Sequence, residues 1–101
     1  MQENNRTLIT IITESSLETT LSRELEKIGV HGYTITDARG KGGRGSRKAD
    51  WDADSNIRVE VICTEVMAKA ITDLLQKKYY DDFAMITYSH DVFVLRPEKF
   101  T

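Results

Sequence analysis

Residues 6–28 read RTLITIITESSLETTLSRELEKI, a β-branched stretch followed directly by a helical repeat. The first part, Arg6 to Thr13, is short and rich in isoleucine and threonine, which favours a strand. Apolar residues then recur at helical spacing, at Leu17, Leu21, Leu25 and Ile28. Ser15 and Glu18 predict a capping box at the start of this helix, and Gly29 predicts its end. The stretch therefore predicts one strand–helix unit.

The rest of the chain adds strand and helix patterns in a fixed order. Alternation of apolar and polar residues predicts strands over His31–Ala38 and Asn56–Thr64, and Thr64 also suits the N-cap of a second helix. A fourth strand is expected over Phe83–Tyr88, and a short fifth strand over Val92–Leu95. The order β-α-β-β-α-β predicts an α+β, ferredoxin-like fold in a single domain of residues 1–101.

Length and composition exclude several classes of protein. The 101 residues suffice for one domain, and the formal charge of −2 with a pI near 5.6 disfavours binding to nucleic acid through phosphates. Cys63 is the one cysteine, so an intrachain disulfide is excluded, as suits a reducing compartment. Short apolar runs and the lack of a signal-like segment over Met1–Arg6 predict a cytoplasmic protein without membrane insertion.

The first strand is apolar on both of its sides. Leu8 and Ile12 point to one face of the sheet, whereas Ile9 and Ile11 point to the other. In a ferredoxin-like fold both helices cover the same face, so the opposite face needs another cover. Self-association supplies that cover, although partial exposure of single apolar side chains is the simpler alternative.

The connection between the second and third strands, residues 39–55, is unusually long for a hairpin link. Its first part is rich in glycine, arginine and lysine, and its second part is acidic around Trp51. Gly40, Gly42 and Gly45 match G-x-G-x-x-G, but no helix follows, so this is not a dinucleotide fingerprint. Glycine-rich backbone and arginines can cradle a phosphate, while a solvated hairpin tip explains the same composition.

Two other functions compete for these residues. An Arg/Gly-rich loop on a ferredoxin-like fold can be an RNA-binding module, but the predicted third strand carries no aromatic residue. Catalysis and metal binding have little support, because His31 and His90 are far apart in sequence and lack metal-ligand spacing. Asp81 and Asp82 most simply form a turn. We therefore predict neither a catalytic nor a metal site.

Gly32-Tyr33-Thr34, followed by Gly40-Lys41-Gly42-x-Arg44-x-x-Arg47, resembles the PII-like signalling proteins. The likeness is closest to the SbtB-type, carboxysome-associated branch that is linked to inorganic-carbon uptake. It covers nearly the whole chain, including Lys78-Tyr79-Tyr80-Asp81-Asp82 and Leu95-Arg96-Pro97-Glu98-Lys99-Phe100.

The resemblance implies a homotrimer that binds adenine nucleotides in clefts between its subunits. Residues 39–55 would be the mobile T-loop of the family. Backbone groups of Gly32, Tyr33 and Thr34 would meet the adenine, and Arg44 and Arg47 at the base of the loop would hold phosphate. The implied nucleotide-binding residues are Gly32, Tyr33, Thr34, Lys41, Gly42, Arg44, Arg47 and Arg96.

The sequence departs from the patterns of its PII relatives in three places. The Gly-Asp-Gly-Lys turn that grips polyphosphates is absent, and Asp81-Asp82 stands near its position, which favours AMP, ADP or cyclic AMP over ATP with 2-oxoglutarate. The loop has no tyrosine to accept a uridylyl group. The chain ends at Thr101 without the paired-cysteine tail of some SbtB-type members, so a redox-switched tail is not expected.

The expected function is that of a non-enzymatic nucleotide sensor linked to bicarbonate uptake or to carboxysomes. Nucleotide binding would change the ability of the 39–55 loop to dock on a bicarbonate transporter or a carboxysome component. Bicarbonate itself is a further candidate ligand.

Overall fold

Strands and helices alternate in the order β-α-β-β-α-β in the computed structural model, which describes residues 3–40 and 55–101. The described elements are β1 (Asn5–Glu14), α1 (Glu18–Lys27), β2 (Thr34–Ala38), β3 (Asn56–Cys63), α2 (Glu65–Lys78) and β4 (Ile86–Phe93). Short 3₁₀ turns at Ser15–Leu17 and Pro97–Lys99 precede α1 and follow β4. This order confirms the predicted fold class.

The four described strands form one antiparallel sheet in the order β2-β3-β1-β4. β1 is central, and its Ile11 lies opposite Val59 of β3 on one side and Thr87 of β4 on the other. Placing the first and third strands side by side at the centre is the arrangement of the split βαβ fold.

The hydrophobic core lies between one face of the sheet and the two helices. Ile9 and Ile11 are opposite Val61 and Val59, and all four side chains are almost completely buried. The residues of the helices that pack into the same cluster are Leu21 and Leu25 from α1 with Ala68, Ile71 and Leu75 from α2. Both helices therefore cover the same face, as the topology predicts.

The opposite face of the sheet carries apolar side chains that no described element covers. Leu8 and Ile12 of β1 are half-buried there, each paired with an apolar neighbour, Ile62 of β3 and Ile86 of β4. Ile86 is 54% exposed, and Tyr88 beside it is also exposed. The predicted two-sided apolar pattern of β1 is thus confirmed.

The predicted fourth and fifth strands are wrong in their boundaries. The sequence favours strands over Phe83–Tyr88 and Val92–Leu95, whereas the structure has one strand, β4, from Ile86 to Phe93. The turn after α2 continues through Phe83, whose N–H donates to the carbonyl of Tyr79 at 3.0 Å, and their rings pack 6.0 Å apart. The apolar residues before β4 thus fill the core from a connection instead of a strand.

The predicted helix termini are partly confirmed. Thr64 caps α2, since its Oγ1 accepts from the N–H of Met67 at 3.2 Å, and Gly29 follows α1 with a φ of +106°. The capping box of Ser15 and Glu18 is wrong, because residues 15–17 form a 3₁₀ turn and the Ser15 N–H donates to the carbonyl of Ser55 at 2.8 Å.

Candidate functional site

A groove of about 540 Å³ opens between the segment that leads into β2 and the C-terminal turn. Its lining residues are Gly29, Val30, His31, Gly32, Tyr33, Thr34, Glu60, Val61, Ile62, Cys63, Met67, Lys99, Phe100 and Thr101. Its volume lies within the usual range of pockets for small molecules and cofactors, about 300–1,000 Å³. Three residues of the predicted nucleotide site, Gly32, Tyr33 and Thr34, are neighbours in this groove.

The first wall of the groove presents backbone that the sheet does not use. β2 begins only at Thr34, so the predicted strand over His31–Ala38 starts three residues too early. Gly32 and Tyr33 therefore lie outside the sheet ladders of the described residues, and both residues line the groove. Backbone groups of this kind can pair with the edge of a planar base.

Gly32 adds open space to this wall. A Cβ placed on it would have no heavy atom within 4 Å, and its backbone is not in the left-handed region. The protomer therefore does not require glycine at this position for either packing or conformation. Gly29 differs, because a Cβ there would lie 3.3 Å from the Cε of Met67 and its φ is +106°. Gly29 is needed by the fold, whereas Gly32 leaves room in the groove.

Tyr33 is anchored to α1 and to the core. Its ring packs against the core cluster, and its hydroxyl donates to Oε2 of Glu26 on α1 at 2.7 Å. The side chain is thereby held by the helix while the backbone remains at the groove. This arrangement fixes the position of the wall without using the groove-facing polar groups.

The floor of the groove is formed by the end of β3. Glu60 lies opposite Thr34 in the β2–β3 register and pairs with Arg58 at 3.3 Å, with both side chains partly exposed. Cys63 is buried, and burial raises the pKa of its thiol, so the group is neutral at physiological pH. The floor is therefore mainly apolar, with one carboxylate near its edge.

The second wall comes from the C-terminal turn, which the sequence reasoning did not include in the site. Lys99 and Phe100 line the groove there and bring a cation and an aromatic ring to it. Arg96, which the resemblance assigns to the nucleotide, is exposed one residue before this turn and is not among the lining residues. Only the packing of the C-terminal turn against β1 reveals which of these residues face the groove.

β2 links the groove to the beginning of the long connection. Thr34 at its first residue lines the groove, and Ala38 at its last residue pairs with Asn56, so the 39–55 connection leaves and returns at adjacent positions. The Cα atoms of Thr34 and Ala38 are four residue steps apart along β2, which corresponds to roughly 13 Å between the groove and the start of the connection. The predicted loop residues Lys41, Gly42, Arg44 and Arg47 lie outside the described residues.

Among residues 3–40 and 55–101, no group of three or more metal-binding side chains comes together. No helix in the same part of the chain is long and apolar enough to cross a membrane.

Comparison with known proteins identifies the family. The family model of nitrogen regulatory protein P-II matches residues 6–99, almost the whole described fold. The chain belongs to the PII family. PII proteins are signalling proteins that form trimers and interact with partner proteins.

Solved structures of PII-like proteins match over nearly the full chain. A PII-like signalling protein from Thermus thermophilus is 44% identical, with a TM-score of 0.81 and 96% of each chain covered. CPII from Thiomonas intermedia, bound to ADP and bicarbonate, is 26% identical, with a TM-score of 0.82 and coverage of 96% of this chain and 95% of CPII. A second CPII structure, at 25% identity, a TM-score of 0.80 and coverage of 95% and 93%, is bound to ADP, AMP and bicarbonate.

Proposed function

We propose that this PII protein is a non-enzymatic sensor of adenine nucleotides that acts as a homotrimer. The nucleotide binds in the groove beside Gly32, Tyr33 and Thr34, which a second subunit completes. AMP and ADP are the favoured ligands, with cyclic AMP as a further candidate. The observation that carries the proposal is a groove of nucleotide size. Its wall has backbone outside the sheet ladders of residues 3–40 and 55–101, and a glycine that neither packing nor backbone conformation requires.

The placement of the nucleotide follows from the direction of β2. An adenine at the Gly32 end directs the phosphates along the strand toward Ala38, where the 39–55 loop begins. Arg44 and Arg47 of that loop hold the phosphates, with Lys41 and Gly42 on the same side and Arg96 as a further cation. Arginines suit this task because their guanidinium groups make forked, charge-assisted hydrogen bonds.

Regulation requires that different ligands affect the loop differently. A ligand shifts a conformational equilibrium only by its difference in affinity for the two states. AMP and ADP differ in the number of phosphates that reach the base of the loop, so they stabilise different loop arrangements. The loop then docks, or fails to dock, on a bicarbonate transporter or a carboxysome component.

The proposed link to inorganic carbon is supported by the resemblance to the SbtB-type branch and by CPII, which is bound to bicarbonate together with ADP. Bicarbonate binds here as a second ligand whose affinity depends on the nucleotide. Reciprocity of linked binding then requires that bicarbonate raise the affinity for that nucleotide by the same factor.

Calorimetry with a series of substitutions at Gly32 tests the nucleotide site. Gly32→Ala and Gly32→Val place a methyl or isopropyl group in open space, so the melting temperature stays unchanged while the affinity for ADP and AMP falls as the side chain grows. Gly29→Ala is the contrasting variant, because strain at its positive φ lowers the melting temperature.

An RNA oligomer and ATP serve as competing ligands in the same titrations. Wild-type protein that binds RNA but no adenine nucleotide would establish the RNA-binding alternative. Equal affinity of the wild type and Gly32→Val for ADP would place the nucleotide elsewhere.

A further inference from the structure

Within residues 3–40 and 55–101, the guanidinium group of Arg6, near the start of β1, makes hydrogen bonds only to backbone carbonyls. Its Nε donates to the carbonyl of Phe100 and its Nη2 to that of Pro97, both at 2.8 Å. Its Nη1 donates to the carbonyls of Asn5 and Glu3 at 2.8 and 3.1 Å. A guanidinium has five N–H donors in a rigid fork, and four of them are used here.

The two distant acceptors are the two ends of the C-terminal turn. Pro97 begins the 3₁₀ turn, and Phe100 closes it by donating its own N–H to the carbonyl of Pro97 at 3.0 Å. Arg6 therefore bridges the beginning and the end of one turn from a residue more than ninety positions earlier in the chain. This clamp joins the central strand to the second wall of the groove.

The turn that forms the second wall has little apolar anchorage of its own. None of the three residues of the Pro97–Lys99 turn is buried. The first wall, in contrast, is attached through Val30, which is buried in the core, and through Tyr33, which packs against the core. Two hydrogen bonds between Asn4 and Val94 tether the chain before the turn, and the hydrogen bonds from Arg6 tether the turn itself.

We infer that Arg6 is a positioning residue of the nucleotide groove, which acts by holding the Pro97–Phe100 turn in place as its second wall. Arg6 itself is not among the lining residues, so it acts through the turn and not by touching the ligand. The inference rests on the proposed nucleotide function, because the nucleotide is the probe of the wall.

Two variants of Arg6 test this role. Arg6→Lys keeps the charge but cannot reach both ends of the turn with a planar fork, and Arg6→Gln removes the charge. Arg23→Ala on the exposed surface of α1 is the control for loss of a positive charge. The readouts are amide hydrogen exchange at Lys99 and Phe100, affinity for ADP by calorimetry, trimer mass by light scattering and melting temperature.

In both Arg6 variants the amide hydrogens of Lys99 and Phe100 should exchange faster than in the wild type. Both variants should bind ADP about tenfold more weakly and remain trimeric. Arg23→Ala should match the wild type in all four measurements. Arg6→Lys and Arg6→Gln should change amide exchange and ADP affinity by nearly the same amount, because the clamp depends on the geometry of the guanidinium group. If only the charge mattered, Arg6→Lys would behave like the wild type.

Three results would overturn the inference. Unchanged amide exchange in both variants would show that Arg6 does not hold the turn. Faster exchange with unchanged affinity for ADP would show that the turn is not a working wall, and loss of affinity only together with loss of the trimer would assign Arg6 to assembly. Wild-type protein that binds neither ADP nor AMP would instead refute the proposed function, and the positioning role with it.

Discussion

The hydroxyl of Tyr33 donates a hydrogen bond of 2.7 Å to Oε2 of Glu26, which joins the segment before β2 to the last turns of α1. The two residues are only seven positions apart, so the contact closes a small loop around Gly29. The first wall of the groove is thereby fixed from behind, by a side chain, while its backbone stays accessible to a ligand.

Tyr33→Phe should weaken ADP binding about twofold to fivefold, because the wall loses a fixed position without losing any group that meets the ligand. The hydrogen bond is exposed, so the free energy of unfolding should fall by no more than about 1 kcal/mol. Calorimetry and urea unfolding measure the two effects. Lys69→Ala is the control, because it removes an exposed ion pair with Asp73 on α2 and should leave the affinity for ADP unchanged. An equal loss of affinity in both variants would contradict the positioning role of Tyr33.

If the trimer forms through the face of the sheet that lies opposite the helices, a charged side chain on that face should produce a monomer. Ile86→Glu places a carboxylate on the face shared with Ile12, and burying that charge without a partner would cost several kcal/mol per interface. Light scattering should return the monomer mass. Val66→Glu is the matched control, since Val66 is 82% exposed on α2, in the layer on the other side of the sheet, and this variant should remain trimeric. A trimeric Ile86→Glu would place the interface elsewhere.

Much of the fold follows from local patterns in the sequence. The alternation in β3 and the helical spacing of Leu21 and Leu25 predict elements that the structure confirms, because burial of one face imposes a fixed period. β4 was misplaced for a physical reason. Phe83 and Met85 are apolar enough for a strand, but they pack into the core from the turn that follows α2.

The site could be predicted only in part. The resemblance to a family motif predicts Gly32, Tyr33 and Thr34 as site residues, and they line one groove because they are consecutive. Lys99 and Phe100 could not be found in this way, since they reach the groove through a clamp from Arg6 at the other end of the sequence. Contacts of that range carry no periodic signal.

Two buried acidic groups predict a loss of stability at alkaline pH. Burial raises the pKa of the Cys63 thiol above its ordinary value of 9.0, and burial, followed by the charge of Glu24, raises the pKa of Tyr79 above 10.0. Each group loses its proton first in the unfolded chain, so the stabilising contribution is complete below the ordinary pKa and declines as the pH rises above about 9.

Urea unfolding at several pH values between about 8 and 10.5 measures this decline. Cys63→Ala and Tyr79→Phe should each show a smaller fall in the free energy of unfolding than the wild type, when each variant is compared with itself at pH 8. Parallel curves for both variants and the wild type would show that neither group is responsible.

Phosphate recognition by the loop gives the last prediction. Gly45 and Ser46 separate Arg44 from Arg47, which allows the backbone to turn and both guanidinium groups to approach one anion. Each charge-assisted bond to phosphate should contribute about 1.5–3 kcal/mol. Arg44→Ala or Arg47→Ala should therefore weaken AMP and ADP binding by about tenfold to a hundredfold in calorimetry.

Adenosine separates this effect from a general change in the groove. It has no phosphate, so both variants should bind it nearly as well as the wild type. Substitution of either arginine by lysine should restore little affinity, since an ammonium lacks the planar fork. The trimer mass should stay constant, because the loop begins at the far end of β2 from the groove and outside the proposed sheet interface. If the variant with both Arg44→Ala and Arg47→Ala bound AMP as tightly as the wild type, the loop would not bind phosphate. Contact with a protein partner would then be the role of these arginines.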